Sequence, residues 1–177
     1  MFSSAEVSAD GFWFEELLGL QTLNLDTTVS AGVRDGVDVV YEFGPSLEVG
    51  LGAQIQFGSQ VLYQSSFGLD NVFLFLRLPF RVAFLAFYPV GRVGYGFFFG
   101  NADYSGAGTL PQGPYYAIGG GCRSPDFDYT FLSKKFLLHA FVEGTCESGN
   151  GFSPALLEEK VYSAWSVGLG LGLQVMP

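Results

Sequence analysis

Few residues in this chain have the types and spacing for chemistry. The sole histidine, His139, precedes Glu143 by four positions, so the two share strand parity and could hydrogen-bond as an acid–base pair. No serine stands beside it, since Ala140-Phe141 follows, and a structural His–Glu contact is the preferred reading. Cys122 and Cys146 are not spaced as C-x-x-C, and one histidine leaves a Cys/His metal site short of ligands. The run Gly168-x-Gly170-x-Gly172 invites a phosphate loop, but that chemistry needs a following helix N-terminus. Asp26, Asp38, Glu42 and Glu48 could offer oxygen ligands to a hard cation. Pairing with Arg77, Arg81 and Arg92 is the simpler use of those carboxylates and the one adopted. The expectation is no enzyme activity, no cofactor and no metal.

The elements that must position these residues are set by composition. The 177 residues favour one domain over 1–177, with 1–19 preceding the first strand. The chain is 49% hydrophobic and only 14% charged, which excludes intrinsic disorder. A formal charge of −9 repels phosphate backbones, so nucleic acid is not an expected partner. The start, Met1-Phe2-Ser3-Ser4-Ala5-Glu6, lacks a basic n-region and an apolar h-region, and the preferred reading is a mature exported chain given a new Met. A hydropathy window over 72–100 suggests a membrane helix, but Arg77, Arg81 and Arg92 interrupt it well short of the ~20 residues needed.

Period-two alternation is the informative signal. Leu47, Val49, Leu51, Ala53, Ile55 and Phe57 oppose Glu48, Gly50, Gly52, Gln54, Gln56 and Gly58. Trp165, Val167, Leu169, Leu171, Leu173 and Val175 oppose Ser166, Gly168, Gly170, Gly172 and Gln174. Leu23, Leu25, Thr27, Val29 and Ala31 read as a third apolar face. The pattern predicts eight strands near 20–31, 37–43, 46–57, 71–84, 88–99, 114–123, 135–146 and 160–175. Connections at Gly44-Pro45-Ser46 and at Leu85 to Phe87 are tight. Those at 58–70, 100–113 and 147–159 are long. Two fit this layout poorly, a long 124–134 and a short Gly32 to Gly36. The sixth strand has ambiguous parity. A hairpin centred near Tyr129 would set Cys122 against residue 136, ten positions from Cys146, so no disulfide is expected.

Alternation alone does not separate a soluble lipocalin-like barrel from a membrane barrel; the bulky parity does. The non-apolar parity is glycine with a few Glu, Gln and Arg, too sparse to solvate an exterior but small enough for a narrow lumen. Arginine facing lipid costs about 2–4 kcal/mol each at the midplane. Enclosed, Arg77, Arg81 and Arg92 could instead be neutralised by Glu42, Glu48 and Glu143, with His139 on the same parity. Aromatic residues fall in two bands suited to membrane interfaces: Tyr41, Phe43, Phe84 and Phe87 at one end, and Phe57, Phe97, Phe99, Tyr115 and Trp165 at the other. The fold class read from the residues is therefore all-β, an eight-stranded antiparallel up-and-down transmembrane β-barrel.

The stretch Tyr41-Glu42-Phe43-Gly44-Pro45-Ser46-Leu47-Glu48-Val49-Gly50-Leu51-Gly52 is similar to a strand–turn–strand around a periplasmic proline. Together with Leu76-Arg77-Leu78-Pro79-Phe80-Arg81-Val82 and Val93-Gly94-Tyr95-Gly96, it resembles the small outer-membrane β-barrels of the OmpA-like and OmpW-like group. The ending Gln174-Val175-Met176-Pro177 departs from the group's terminal aromatic residue. The resemblance implies a bacterial outer-membrane location with both termini periplasmic. It also implies outer-membrane lipids and the barrel-assembly machinery as partners. An OmpW-like barrel would pass small hydrophobic solutes, as a narrow passive channel opening sideways. An OmpA-like one would be closed, serving membrane integrity or binding host surface ligands through its loops. Lipid-modifying enzymes of the same architecture use a histidine with a serine and an acid, a set this chain does not place together.

Overall fold

The computed structural model describes residues 11–25, 28–58, 67–100, 112–153 and 158–176. Alternating β-branched, aromatic and small residues form β1 (Gly11–Leu25), β2 (Thr28–Glu42), β3 (Glu48–Gly58), β4 (Phe67–Arg77) and β5 (Phe80–Val82). They continue in β6 (Leu85–Gly100), β7 (Gln112–Arg123), β8 (Phe127–Phe131), β9 (Lys134–Ser153) and β10 (Glu158–Val175). Eight of these close an antiparallel barrel in the order β10-β1-β2-β3-β4-β6-β7-β9, with β9 and β10 paired to complete the ring. The short strands β5 and β8 continue β4 and β7 beyond the rim and pair only with β6 and β9.

The two faces are sorted as in a membrane barrel. Leu169 is 69% exposed on the outside of β10, whereas Arg77 is 1% exposed inside. A soluble barrel would reverse that assignment, since charge belongs in water and large apolar groups in the core. The outer belt is interrupted on β1 and β2, where Glu16 is exposed and Asp35 half-buried.

Several strand boundaries differ from the sequence reading. Segment 11–20, placed before the first predicted strand, forms the first part of β1, and Gly32 to Gly36 is not a connection but the middle of β2. Leu25 pairs with Thr28, so β1 and β2 are joined by residues 26 and 27 alone, which lie outside the described residues. A two-residue link reverses parity: Leu23 points inward on β1 while Val29 points outward on β2, and the single apolar face read through both does not exist. Gly36 looked like a turn residue because it is small. Its actual role is clearance, since a Cβ there would lie 2.8 Å from Gln54 Cγ.

The tight bend expected at Leu85 to Phe87 sits two residues earlier, at Ala83-Phe84, with Ala83 at φ 56°. The long 124–134 connection is mostly β8, which zips onto β9 through a two-residue turn at Leu132-Ser133. Both turn residues have positive φ, 48° and 64°, the twist that two-residue hairpins favour, but neither is the glycine or asparagine that would have signalled it. Pro125 cannot donate to a ladder, and Ser124 bridges the break by donating N–H to Ala140 O at 2.8 Å. This turn position sets Cys122 against Val142, not residue 136, and Cys146 against Ile118. The two thiols are free and stand four rungs apart, roughly 13 Å at 3.3 Å per residue. At the opposite end β4, β9 and β10 extend into the long connections, leaving 59–66, 101–111 and 154–157 outside the described residues.

Of the aromatic bands, Phe12, Tyr41 and Phe43 pack in edge contacts at 4.8 and 4.6 Å near the short turns. Tyr95 and Phe97 pair at 5.1 Å towards the other end. Tyr115 does not belong to that band: it is fully buried in the lumen, because Pro114 and Tyr116 take the outward positions of β7. The side chains of Phe57 and Phe99 lie outside the described residues.

Candidate functional site

Inward positions on six strands bring their charges to one level of the lumen. Arg77, at the end of β4, donates Nη1–H to Glu15 Oε2 at 2.5 Å and Nη2–H to Glu143 Oε2 at 3.1 Å. Asp38 Oδ2 and Glu48 Oε2 lie 3.5 and 3.7 Å from the same guanidinium. Arg92, on β6, donates to the other Glu143 oxygen and lies 3.9 Å from Asp38 Oδ2. Glu15 and Asp38 face each other directly across β1 and β2. Two carboxylates so placed repel, and the arginines between them make the arrangement tenable. Both guanidiniums are held against rings, Arg77 4.7 Å from the Phe75 centroid and Arg92 4.5 Å from that of Phe73.

Glycine makes room for this packing. A Cβ on Gly52 would sit 2.1 Å from Asp38 Oδ1, and one on Gly50 would sit 2.3 Å from the Phe75 ring. On β10 the alternating glycines form a trough: Phe141 crosses Gly170, and His139 crosses Gly172 to reach Glu15 on β1. The Gly168-x-Gly170-x-Gly172 run thus lies within a strand whose small inner face lets neighbouring side chains cross it.

His139 contacts different groups from those its spacing suggested. Its Nε2 lies 3.0 Å from Glu15 Oε1 and its Nδ1 3.5 Å from Asp126 Oδ1, and its ring packs 4.4 Å from Trp13. The Glu143 contact is not made, because residues four apart on one strand are roughly 13 Å apart, whereas Glu15 lies just across Gly172. Glu42 sits at the rim, where Arg123 donates to it at 2.9 Å and to Glu48 at 2.9 Å. Arg81 is a correction: it is exposed on β5, past the rim, where no opposite wall encloses the inward parity. Among the described residues no His, Cys, Asp and Glu cluster is arranged to hold a metal ion. Asp26 lies outside the described residues.

A second polar layer sits nearer the long loops. Arg34 donates Nη1–H to Glu147 Oε1 at 2.6 Å and to the Ser166 hydroxyl, and Gln21 donates to Glu147 Oε2 at 2.7 Å. Sequence reasoning missed Glu15 and Arg34 because the first hairpin was misplaced, and it did not single out Arg123 or Glu147. Their inward parity on correctly bounded strands was the signal that could have found them.

No protein-family model matches the sequence, and no curated protein matches it either. Solved structures do match. Neisserial surface protein A superposes with a TM-score of 0.61 over 93% of this chain and 96% of that one, at 10% identity. The outer membrane protein OprG from Pseudomonas aeruginosa is 16% identical, with a TM-score of 0.46 over 93% of this chain and 96% of that one. The Ail protein of Yersinia pestis is 13% identical, with a TM-score of 0.44 over 93% and 99%. The chain has the fold of the small eight-stranded outer-membrane barrels.

Proposed function

We propose that this chain is an integral protein of a bacterial outer membrane that performs no enzymatic chemistry, a closed barrel that presents its long connections at the cell surface. The observation that carries this reading is the Arg77–Arg92 cluster. Four carboxylates and two guanidiniums, drawn from six strands, occupy the lumen at one level. The outward belt of Leu, Val and aromatic side chains supports burial in acyl chains. Its partners are then outer-membrane lipids, the barrel-assembly machinery that inserts it, and surface ligands met by the loops. His139 is held by carboxylates, with no hydroxyl contact to it among the described residues, which favours a structural role over a lipid-modifying one.

Reconstitution into planar bilayers tests the closed lumen. The expected result is an absence of large, long-lived openings, because ion passage would require breaking buried charge pairs. A large and stable single-channel conductance would contradict it.

A further inference from the structure

The two overhanging hairpins, β5–β6 and β8–β9, carry a feature the closed barrel does not use. Every residue of β5 and of β8 is exposed. Their tips are strongly apolar, with Phe84 73% and Leu132 82% exposed. The rings of Tyr129 and Phe131 stack at 6.4 Å on one face of β8, and those of Phe80 and Phe87 stack at 6.1 Å on the other hairpin. Arg81, Lys134 and Lys135 are exposed on these same hairpins. Arg34, Arg77 and Arg92 are buried and Arg123 is largely so. Among residues whose side chains are described, every exposed cation therefore lies on the two overhangs. Asp126 and Asp128 are the carboxylates exposed beside them among the described residues.

We propose that these hairpins form a docking face for anionic phospholipid in the leaflet at the short-turn end. The proposal rests on the membrane reading above. Two observations choose this occupant. The outward row Leu74, Leu76 and Leu78 runs on into Phe80 and Val82, all exposed, so the first hairpin prolongs the apolar belt that the membrane reading sets in acyl chain. Their cations are interleaved with exposed aromatic side chains: Arg81 lies one rung past the Phe80–Phe87 pair and Lys134 pairs with Phe131, so one surface offers charge to phosphate and rings to the interface. A peptide strand added to the free edge of β8 would satisfy its backbone groups but would leave the tips wet and the cations unused.

The test is refolding into vesicles of equal phosphatidylethanolamine and phosphatidylglycerol, followed by native mass spectrometry of the lipids that remain bound. The wild-type protein is expected to retain phosphatidylglycerol severalfold over its share of the vesicle. The triple variant Arg81→Gln, Lys134→Gln, Lys135→Gln is expected to fold, shift on heating like wild type, and retain lipid at the vesicle ratio. Each neutralised cation lowers the apparent preference by up to about fivefold, the equivalent of ~1 kcal/mol per charge near an anionic surface. Unselected lipid on wild type, or equal enrichment on the variant, overturns the proposal. Failure to enter bilayers at all overturns the membrane reading itself and is distinguished by the missing heat-shifted band.

Discussion

Replacing Arg77 with methionine is expected to cost about 3–5 kcal/mol of unfolding free energy, the range for breaking a buried ion pair from one side. Arg77 is 1% exposed and lies within 4 Å of Glu15, Asp38, Glu48 and Glu143. Methionine keeps most of the volume but leaves buried carboxylates facing one another, with Arg92 as their remaining central partner. That loss is a large share of a domain's typical stability of about 5–15 kcal/mol. Urea titration of protein folded in lipid vesicles, read by the heat-dependent gel shift, measures it. Adding Glu15→Gln to Arg77→Met should recover part of the loss, because it removes one buried carboxylate that has lost its arginine and faces Asp38. A single-variant effect below about 1 kcal/mol would show that the cluster is solvated and not buried.

Leu169→Arg carries the second large effect. Leu169 lies midway along the outward apolar row from Trp165 to Val175 on β10 and is 69% exposed. Facing hydrocarbon, an arginine there should destabilise the barrel by about 2–4 kcal/mol. The same substitution on a water-exposed strand would stay within roughly 0.5 kcal/mol. The urea titration therefore reads the solvent at that position directly, and a near-neutral result in vesicles would argue for water.

The last two barrel strands were the most legible from sequence. On β9 and β10 the outward and inward sets follow strict alternation, and His139, Phe141, Glu143 and Thr145 all point inward. The first hairpin was illegible for a physical reason: its link is two residues long, and β2 carries glycines and charges that read as loop. Period two identifies a face but not a turn, so one misplaced link inverted the parity of β1 and hid Glu15. Arg81 failed differently, because parity predicts enclosure only where a barrel wall stands opposite. The partner of His139 was invisible for a third reason. It depends on Gly172 of an intervening strand, a relation of register and not of spacing.

The inside-out sorting of side chains can be tested with the chain's two tryptophans, Trp13 at 1% and Trp165 at 53% exposure. Each would be left alone as a reporter, by Trp165→Phe or Trp13→Phe, in vesicles whose lipids carry bromine on the acyl chains. An inside-out barrel predicts strong quenching of Trp165 and little of Trp13, since bromine quenches on contact. Equal quenching of both, or protection of Trp165 in protein that stays dispersed without detergent, would contradict it.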